Sequence, residues 1–295
     1  MQLHPDAERS GVRLIAYDTL GSTNAEALAR GRVGERGPLW IAAARQTAGR
    51  GRRGNAWVSE PGNLYASLLL TDAAPAAHLP ELCFVVALAV RDAVSHFLVP
   101  PLKGEGRIAE GNPGCGHSSN QSTPTRRASH VDLPLAGGGM ENGLKLKWPN
   151  DLLLDGAKLA GILIEAESLG GKTLAAAGIG VNCVHHPIGL AYPATSLSAY
   201  GESVGPERVL TELSRTVLGR LAQWDRGAGF AEIRSEWLSH AAGVGGDIQV
   251  RLSGRELTGT FESLDSMGRL MLRLPDGGLE AITAGEVFAP ARVHA

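Results

Sequence analysis

A chain of 295 residues with 43% hydrophobic content is long enough for one large or two modest domains and apolar enough to bury a core. Its net charge of −2 argues against a surface built broadly for nucleic acid, and no run approaches the ~20 apolar residues of a membrane span. Residues 1–11 lack the charged and apolar regions of a secretory signal, so a cytoplasmic protein is expected.

About 13 residues precede the first expected strand. Thr23-Asn-Ala-Glu26 then reads as a capping box, opening a short helix at Ser22-Thr23 that runs to Gly31. Leu39 to Ala44 follows as a strand. Next comes Gly49-Arg-Gly51-Arg-Arg-Gly54, which matches the dinucleotide string GxGxxG in spelling. A Rossmann fingerprint needs a helix after those glycines, and Asn55 to Asn63 carries turn residues and Pro61 instead. Glycines that free the backbone, interleaved with Arg50, Arg52 and Arg53, fit a mobile cationic loop closing over an anionic ligand; a solvated basic loop is the plainer alternative.

Leu64 to Leu70 reads as a largely buried strand, and Pro80 to Leu98 as a long amphipathic helix packed on a sheet. Residues 103–143 turn abruptly rich in Gly, Ser, Pro and Asn, which predicts a disordered, dispensable insertion. From Leu144 two short strands and a longer one are expected, then a strand over Thr173 to Asn182, and helices near 206–225 and 229–240. Beyond Gly243, five short strands (Asp247–Val250, Glu256–Glu262, Arg269–Leu274, Leu279–Ile282, Glu286–Phe288) suggest a small β-barrel, so residues 1–242 and 243–295 are expected as two domains. Cys83, Cys115 and Cys183 lack CxxC spacing and are expected as free thiols, and His185-His186 reads as part of a loop.

A second group of residues carries chemistry. In Lys147-Trp-Pro-Asn-Asp151, Pro149-Asn150 marks a turn, and Asp155-Gly156 marks a two-residue hairpin. That turn opposes Leu153 to Lys158 and Asp151 to Ala160, leaving Asp151 and Lys158 as diagonal neighbours roughly 7–8 Å apart on one face. They form either an ion pair at a strand end or part of a site. The glycines of Gly178-Ile-Gly180-Val-Asn182 mark either a bulge or the close approach of another molecule.

Together, GSTN at 21–24, QTAGRGRRGNAW from 46, KWPNDLLLDGAKLAGIL from 147 and GIGVN from 178 resemble the biotin protein ligases, from about residue 14 to the end apart from 103–143. The resemblance implies an α+β fold related to class II aminoacyl-tRNA synthetases: a central mixed sheet flanked by helices, with a C-terminal barrel like src-homology-3 domains. It implies two-step ligation, in which biotin and ATP form biotinyl-AMP and the biotinyl group then passes to a lysine of a biotin carboxyl carrier protein. The family pattern assigns Ser22, Thr23, Asn24, Gln46, Arg50, Gly51, Arg52, Lys158, Gly178 and Gly180 to biotin. Arg50, Arg52, Arg53, Trp57, Lys147, Asn150 and Lys158 fall to ATP, with Trp57 alternatively the anchor of the closed loop. Lys158, Arg50 and Asp151 would carry the chemistry, Asp151 accepting a proton from the carrier amine or orienting it. Mg²⁺ would arrive with the ATP phosphates, helped by Asn150, rather than in a protein cage. Gly21 stands where the family usually has Asp. The short stretch before the first strand leaves no room for the DNA-binding domain of bifunctional members, so no nucleic-acid partner is expected; a transient homodimer stays open. Lipoate ligases share the fold and the adenylation logic, but the motif set favours biotin.

Overall fold

Alternation along three central strands decides how the chain is layered. The computed structural model describes residues 1–98, 143–190 and 192–288. Seven strands, β1 (Arg13–Leu20), β2 (Leu39–Gln46), β3 (Leu64–Thr71), β4 (Leu144–Lys147), β5 (Asp151–Leu154), β6 (Ala157–Leu169) and β7 (Lys172–Val181), form one sheet in the order β1-β2-β3-β7-β6-β5-β4. Only β1 and β2 are parallel; the other neighbours are antiparallel. Odd residues of β2 and β3 and even residues of β7 (Leu39, Ile41, Leu69, Leu174, Ala176) meet Ala27 and Leu28 of α2 (Thr23–Arg32). The opposite set, including Trp40, Ala42, Leu68, Ala177 and Ile179, packs into the main core with α3 (Leu82–Leu98), α4 (Pro206–Trp224) and α5 (Phe230–Ser239). A short α1 (Pro5–Arg9) precedes β1 and touches α4. The chain is thus a helix-sheet-helix sandwich whose two faces are set by a period of two.

Five further strands, β8 (Asp247–Arg251), β9 (Glu256–Leu264), β10 (Leu270–Arg273), β11 (Leu279–Ile282) and β12 (Glu286–Phe288), form an antiparallel sheet ordered β11-β10-β9-β8-β12, within two residues of the ends expected from sequence. The architecture is the expected α+β class: a mixed sheet flanked by helices and a small SH3-like sheet. Among the described residues no helix is long and apolar enough to cross a membrane. The insertion expected at 103–143 lies outside the described residues except for Gly143, as does Cys115; Cys83 and Cys183 are free thiols.

Three local expectations are corrected. The cap of α2 is Ser22, whose Oγ accepts from the Ala25 amide at 3.4 Å, and Glu26 turns instead to Tyr17 Oη and Arg30, so the Thr23-to-Glu26 box does not form. The register at the hairpin holds for Leu153 opposite Lys158, but a bulge between Leu152 and Leu153 sets Asp151 opposite Gly161 rather than Ala160. Finally, α3 begins at Leu82, after a 3₁₀ turn over Ala76–Glu81, and is buried nearly all round. It is wedged between the sheet on one side and α4 and α5 on the other, which leaves little of it for water.

Candidate functional site

The pocket follows from where the α2-facing side of the sheet runs out of large residues. Along β7 that face continues from Leu174 and Ala176 to Gly178 and Gly180; on β3 it passes Ser67, paired with Gly178, and on β6 it carries Gly161, paired with Gly180. Missing side chains leave a ledge, and the N-terminus of α2, the 49–57 loop and β12 close around it. The resulting cavity measures about 140 Å³ and is lined by every residue that the sequence assigns to biotin or ATP.

Both glycines sit in continuous ladders without a bulge, so close approach is the reason for them. What approaches is this chain's own side chains. A Cβ on Gly178 would stand 2.4 Å from Asn24 Oδ1, and one on Gly180 would stand 2.5 Å from the Trp57 indole. Trp57 covers the ledge with its Nε1 buried and without a protein acceptor.

Because Ser22 caps the helix, the Thr23 hydroxyl is free for other partners. Gln46 Oε1 accepts from the Thr23 amide at 2.8 Å and from the Thr23 hydroxyl at 3.1 Å, while Gln46 Nε2 donates to Ser59 Oγ. Ser59 in turn donates to the Trp57 carbonyl, so the buried Ser59 ties the loop to the pocket floor. Asn24 donates to the Leu163 carbonyl and to Glu165, whose other oxygen lies 3.3 Å from the Arg50 guanidinium. Neither Ser59 nor Glu165 was singled out in the sequence. The signal for Glu165 was available: it is a charged residue with β6 parity matching Gly161 on the ledge face.

The arginine loop is ordered by a bridge between Arg50 and Ala56, a Gly51 amide bonded to the Asn55 carbonyl, and a single 3₁₀ turn over Arg52–Gly54. No α-helix follows the glycines, as the turn residues required. Arg52 points inward, and its burial lowers its pKa from the ordinary guanidinium value, with Cys83 and Asp151 opposing that shift. Arg53 is exposed and reaches the Arg251 carbonyl across the second sheet.

Asp151 and Lys158 are in contact at 2.7 Å, the long lysine side chain spanning the diagonal between their positions on the two strands. Lys147 lies 3.8 Å from the same carboxylate, between the rings of Tyr192 and Phe288. Burial pushes its pKa below the usual lysine range, and Asp151 partly restores it. Lys158 sits 5.4 Å from the centroids of both Trp57 and Tyr192. Asn150 Nδ2 is pinned on the Ile162 carbonyl at 2.7 Å, which leaves its Oδ1 as the atom it can offer a ligand or cation. Among the described residues no cluster of three His, Cys, Asp or Glu side chains could hold a metal ion alone. His186, the neighbour of His185, bonds Ser196 Oγ in its loop.

Four cationic side chains, Lys147, Lys158, Arg50 and Arg52, therefore meet Asp151 and Glu286 over a ledge of glycines. This is a mixed-sheet protein with a cationic cleft fitted to an anion. The profile of the biotin/lipoate A/B protein ligase family matches residues 34–183, and that of the biotin protein ligase C-terminal domain matches residues 245–289. The chain is 37% identical over 274 residues to a biotin–[acetyl-CoA-carboxylase] ligase of Paracoccus denitrificans, covering 90% of this chain and 96% of that protein. Against the protein of the same name from Mycobacterium tuberculosis it is 29% identical over 276 residues, covering 90% and 85%. The solved biotin protein ligase from Aquifex aeolicus in complex with biotin and ATP shares the fold at a TM-score of 0.67 and 23% identity, over 94% of this chain and 97% of that one. The chain belongs to the biotin/lipoate A/B protein ligase family.

Proposed function

We propose that the chain activates biotin with ATP to biotinyl-5′-AMP and transfers the biotinyl group to a lysine of a biotin carboxyl carrier protein or domain. Residues 1–242 would form the catalytic unit and 243–295 a C-terminal barrel that closes it, acting in the cytoplasm. The observation that carries the reading is the convergence of the Asp151–Lys158 pair and the arginine loop on one glycine-floored pocket. The named ligases among its relatives favour biotin over lipoate as the acid.

In the first step the biotin carboxylate attacks the α-phosphorus and pyrophosphate leaves with the bonding electrons. Two anions must be pressed together, so the chain's contribution is countercharge and position rather than a nucleophile. Lys158 would stand between carboxylate and α-phosphate, with Arg50 and Arg52 over them; Lys147, Arg53 and Trp57 would flank the nucleotide. ATP enters as its magnesium complex, and Asn150 Oδ1 would face the phosphates or their metal. Ser22, Thr23, Asn24 and Gln46 would hold the ring end of biotin, and Gly51, Gly178 and Gly180 would let it lie close to backbone. In the second step the carrier amine attacks the acyl carbon, AMP leaves, and the Asp151 carboxylate orients the amine or takes its proton. Closure of the loop keeps water from the anhydride.

Incubating the protein with ATP and either biotin or lipoate, then adding a purified carrier domain, tests the reading. Pyrophosphate release that depends on biotin, and a carrier that gains biotin, are expected. Lys158→Ala should slow adenylation by about 10²–10³, the usual loss for one transition-state countercharge. Pyrophosphate release indifferent to biotin, or faster with lipoate, would sink it.

A further inference from the structure

Resting on that reading of the pocket, we infer that Asn63 is a positioning residue for the nucleotide. It grips the first limb of the segment that follows β7, and through that segment it sets Tyr192 over Lys147 and Lys158.

The ladder of β3 and β7 ends at Leu64 opposite Val181. Beyond that pair the strands part, and the backbone amides past β7 lose the partners a ladder would have given them. The Asn63 side chain takes over. Its Oδ1 accepts from the amides of Cys183, Val184 and His185 at 2.9, 3.0 and 3.1 Å, and its Nδ2 donates to the His185 carbonyl at 2.9 Å. Both ends of the side-chain amide are thereby assigned, because only an oxygen can meet three N–H groups and only the NH₂ can meet a carbonyl. Asn63 is 5% exposed, so little water can stand in for it.

The grip is passed on to the site. The Cys183 carbonyl accepts from the Ser198 amide at 2.9 Å, the Val184 carbonyl accepts from Ser198 Oγ at 2.7 Å, and His186 Nδ1 lies 3.1 Å from Ser196 Oγ, so the outgoing limb is tied to the returning one. The returning limb runs along Lys158 itself: the Lys158 amide donates to the Pro193 carbonyl at 2.8 Å, and the Thr195 amide donates to the Lys158 carbonyl at 2.9 Å. Tyr192, the residue before Pro193, then holds its ring centroid 5.4 Å from Lys158 Nζ and 5.8 Å from Lys147 Nζ. The arginine loop does not hang on Asn63. It leaves the pocket through Ser59, whose Oγ accepts from Gln46 Nε2 and donates to the Trp57 carbonyl, and through Glu60, whose carbonyl accepts from Tyr65 Oη at 2.8 Å. Loss of Asn63 therefore frees the Tyr192 side of the pocket and spares the biotin side.

The test uses Asn63→Ala and Asn63→Asp in the full chain. Aspartate keeps the oxygen on which three successive amides converge, an arrangement that favours negative charge, and gives up only the bond to the His185 carbonyl. In Asn63→Ala the KM for ATP in biotin-dependent pyrophosphate release should rise about tenfold or more, while the dissociation constant for biotin, measured by calorimetry without ATP, stays within about twofold. Thermolysin should cut beside the exposed Leu190 several-fold faster than in wild type. Asn63→Asp should stay within about threefold of wild type in each measurement. Adding Tyr192→Ala to Asn63→Ala should raise the KM no further, because the effect runs through that ring. An unchanged KM in folded Asn63→Ala, a biotin constant that weakens as much as the KM rises, or an Asn63→Asp as impaired as the alanine variant overturns the proposal. If Asn63→Ala fails to fold, amide exchange in wild type decides: Cys183, Val184 and His185 should exchange at least about tenfold more slowly than Leu190, and equal rates overturn the grip. A wild type whose pyrophosphate release ignores biotin refutes the functional reading and the nucleotide role with it, whereas equal thermolysin rates in wild type and Asn63→Ala refute the grip alone.

Discussion

At the scale of single residues, the pocket sets three cations around one carboxylate. Asp151 touches Lys158 and stands 3.8 Å from Lys147, and its charge also supports the half-buried Arg52. Burial has already lowered the Lys147 pKa, and Asp151 is the largest influence opposing that shift. Removing the carboxylate in Asp151→Asn must therefore let the Lys147 pKa fall further. The ammonium is then lost at a lower pH, so the alkaline limb of the adenylation pH profile should move down, visible as pyrophosphate release measured across pH. An unmoved limb would mean that the charge on Lys147 plays no part. Arg52 makes a different demand. Half-buried and turned inward from the loop, it has to be replaced by solvent if lost, so Arg52→Gly should release biotinyl-AMP about tenfold faster or more in a filtration assay, the loss of one charge-assisted contact. Retention equal to wild type would remove Arg52 from the lid.

The elements explain why some of this was legible in the sequence and some was not. The arginine loop could be read because the composition of 49–54 and the proline after it are local, and the hairpin because Asp155 and Gly156 adopt the positive φ values, 48° and 79°, that their residue types tolerate. The bulge that sets Asp151 opposite Gly161 could not, since an extra residue in a ladder leaves no mark in the period-two pattern. Nor could the placement of Trp57 over Gly161 and Gly180, which lie more than 100 residues downstream and are brought beneath it by the pairing of β6 and β7 with each other and with β3. The same blindness shifted the helix cap by one residue, since Ser22 and Thr23 are equally able caps and only the tertiary partners of Thr23 decide between them. That placement makes Gly180→Ala informative. Its methyl would meet the indole at 2.5 Å with backbone beneath it, so Trp57 must lift and take the loop with it. Trypsin should then cut at Arg52 or Arg53 several-fold faster, and added biotin and ATP should protect the loop less than in wild type. Equal cutting rates would show that the loop does not rest on this ledge.

For the molecule as a whole, the second sheet acts as a wall of the pocket rather than an appendage. Glu286 and Phe288 of β12 line the cavity beside Lys147, and the connection into that sheet is stitched to the first by the Leu146 amide donating to the His240 carbonyl and the Ala242 amide donating back to Leu146. The joint itself turns on Gly268. Its φ of +75° is a conformation that favours glycine, its carbonyl accepts from the buried Trp148 Nε1 at 3.1 Å, and a Cβ there would stand 2.6 Å from the Phe84 ring. Phe84 has little room to yield, because Phe230 and Trp237 both pack edge-on against it at centroid distances of 5.6 and 5.4 Å. Gly268→Ala should therefore cost about 1–3 kcal/mol in overpacking, and about another 1–3 kcal/mol for holding a non-glycine residue at positive φ, read from urea unfolding. The larger consequence is functional. Trp148 and Pro149 lead directly into Asn150 and Asp151, so pushing the sheets apart moves Phe288 away from Lys147 and displaces the nucleotide side of the pocket before the biotin side. The expected signature is a KM for ATP raised several-fold with biotin binding little changed. A variant that lost stability but kept its KM for ATP would show the second sheet to be a support for the fold, with no share in shaping the nucleotide site.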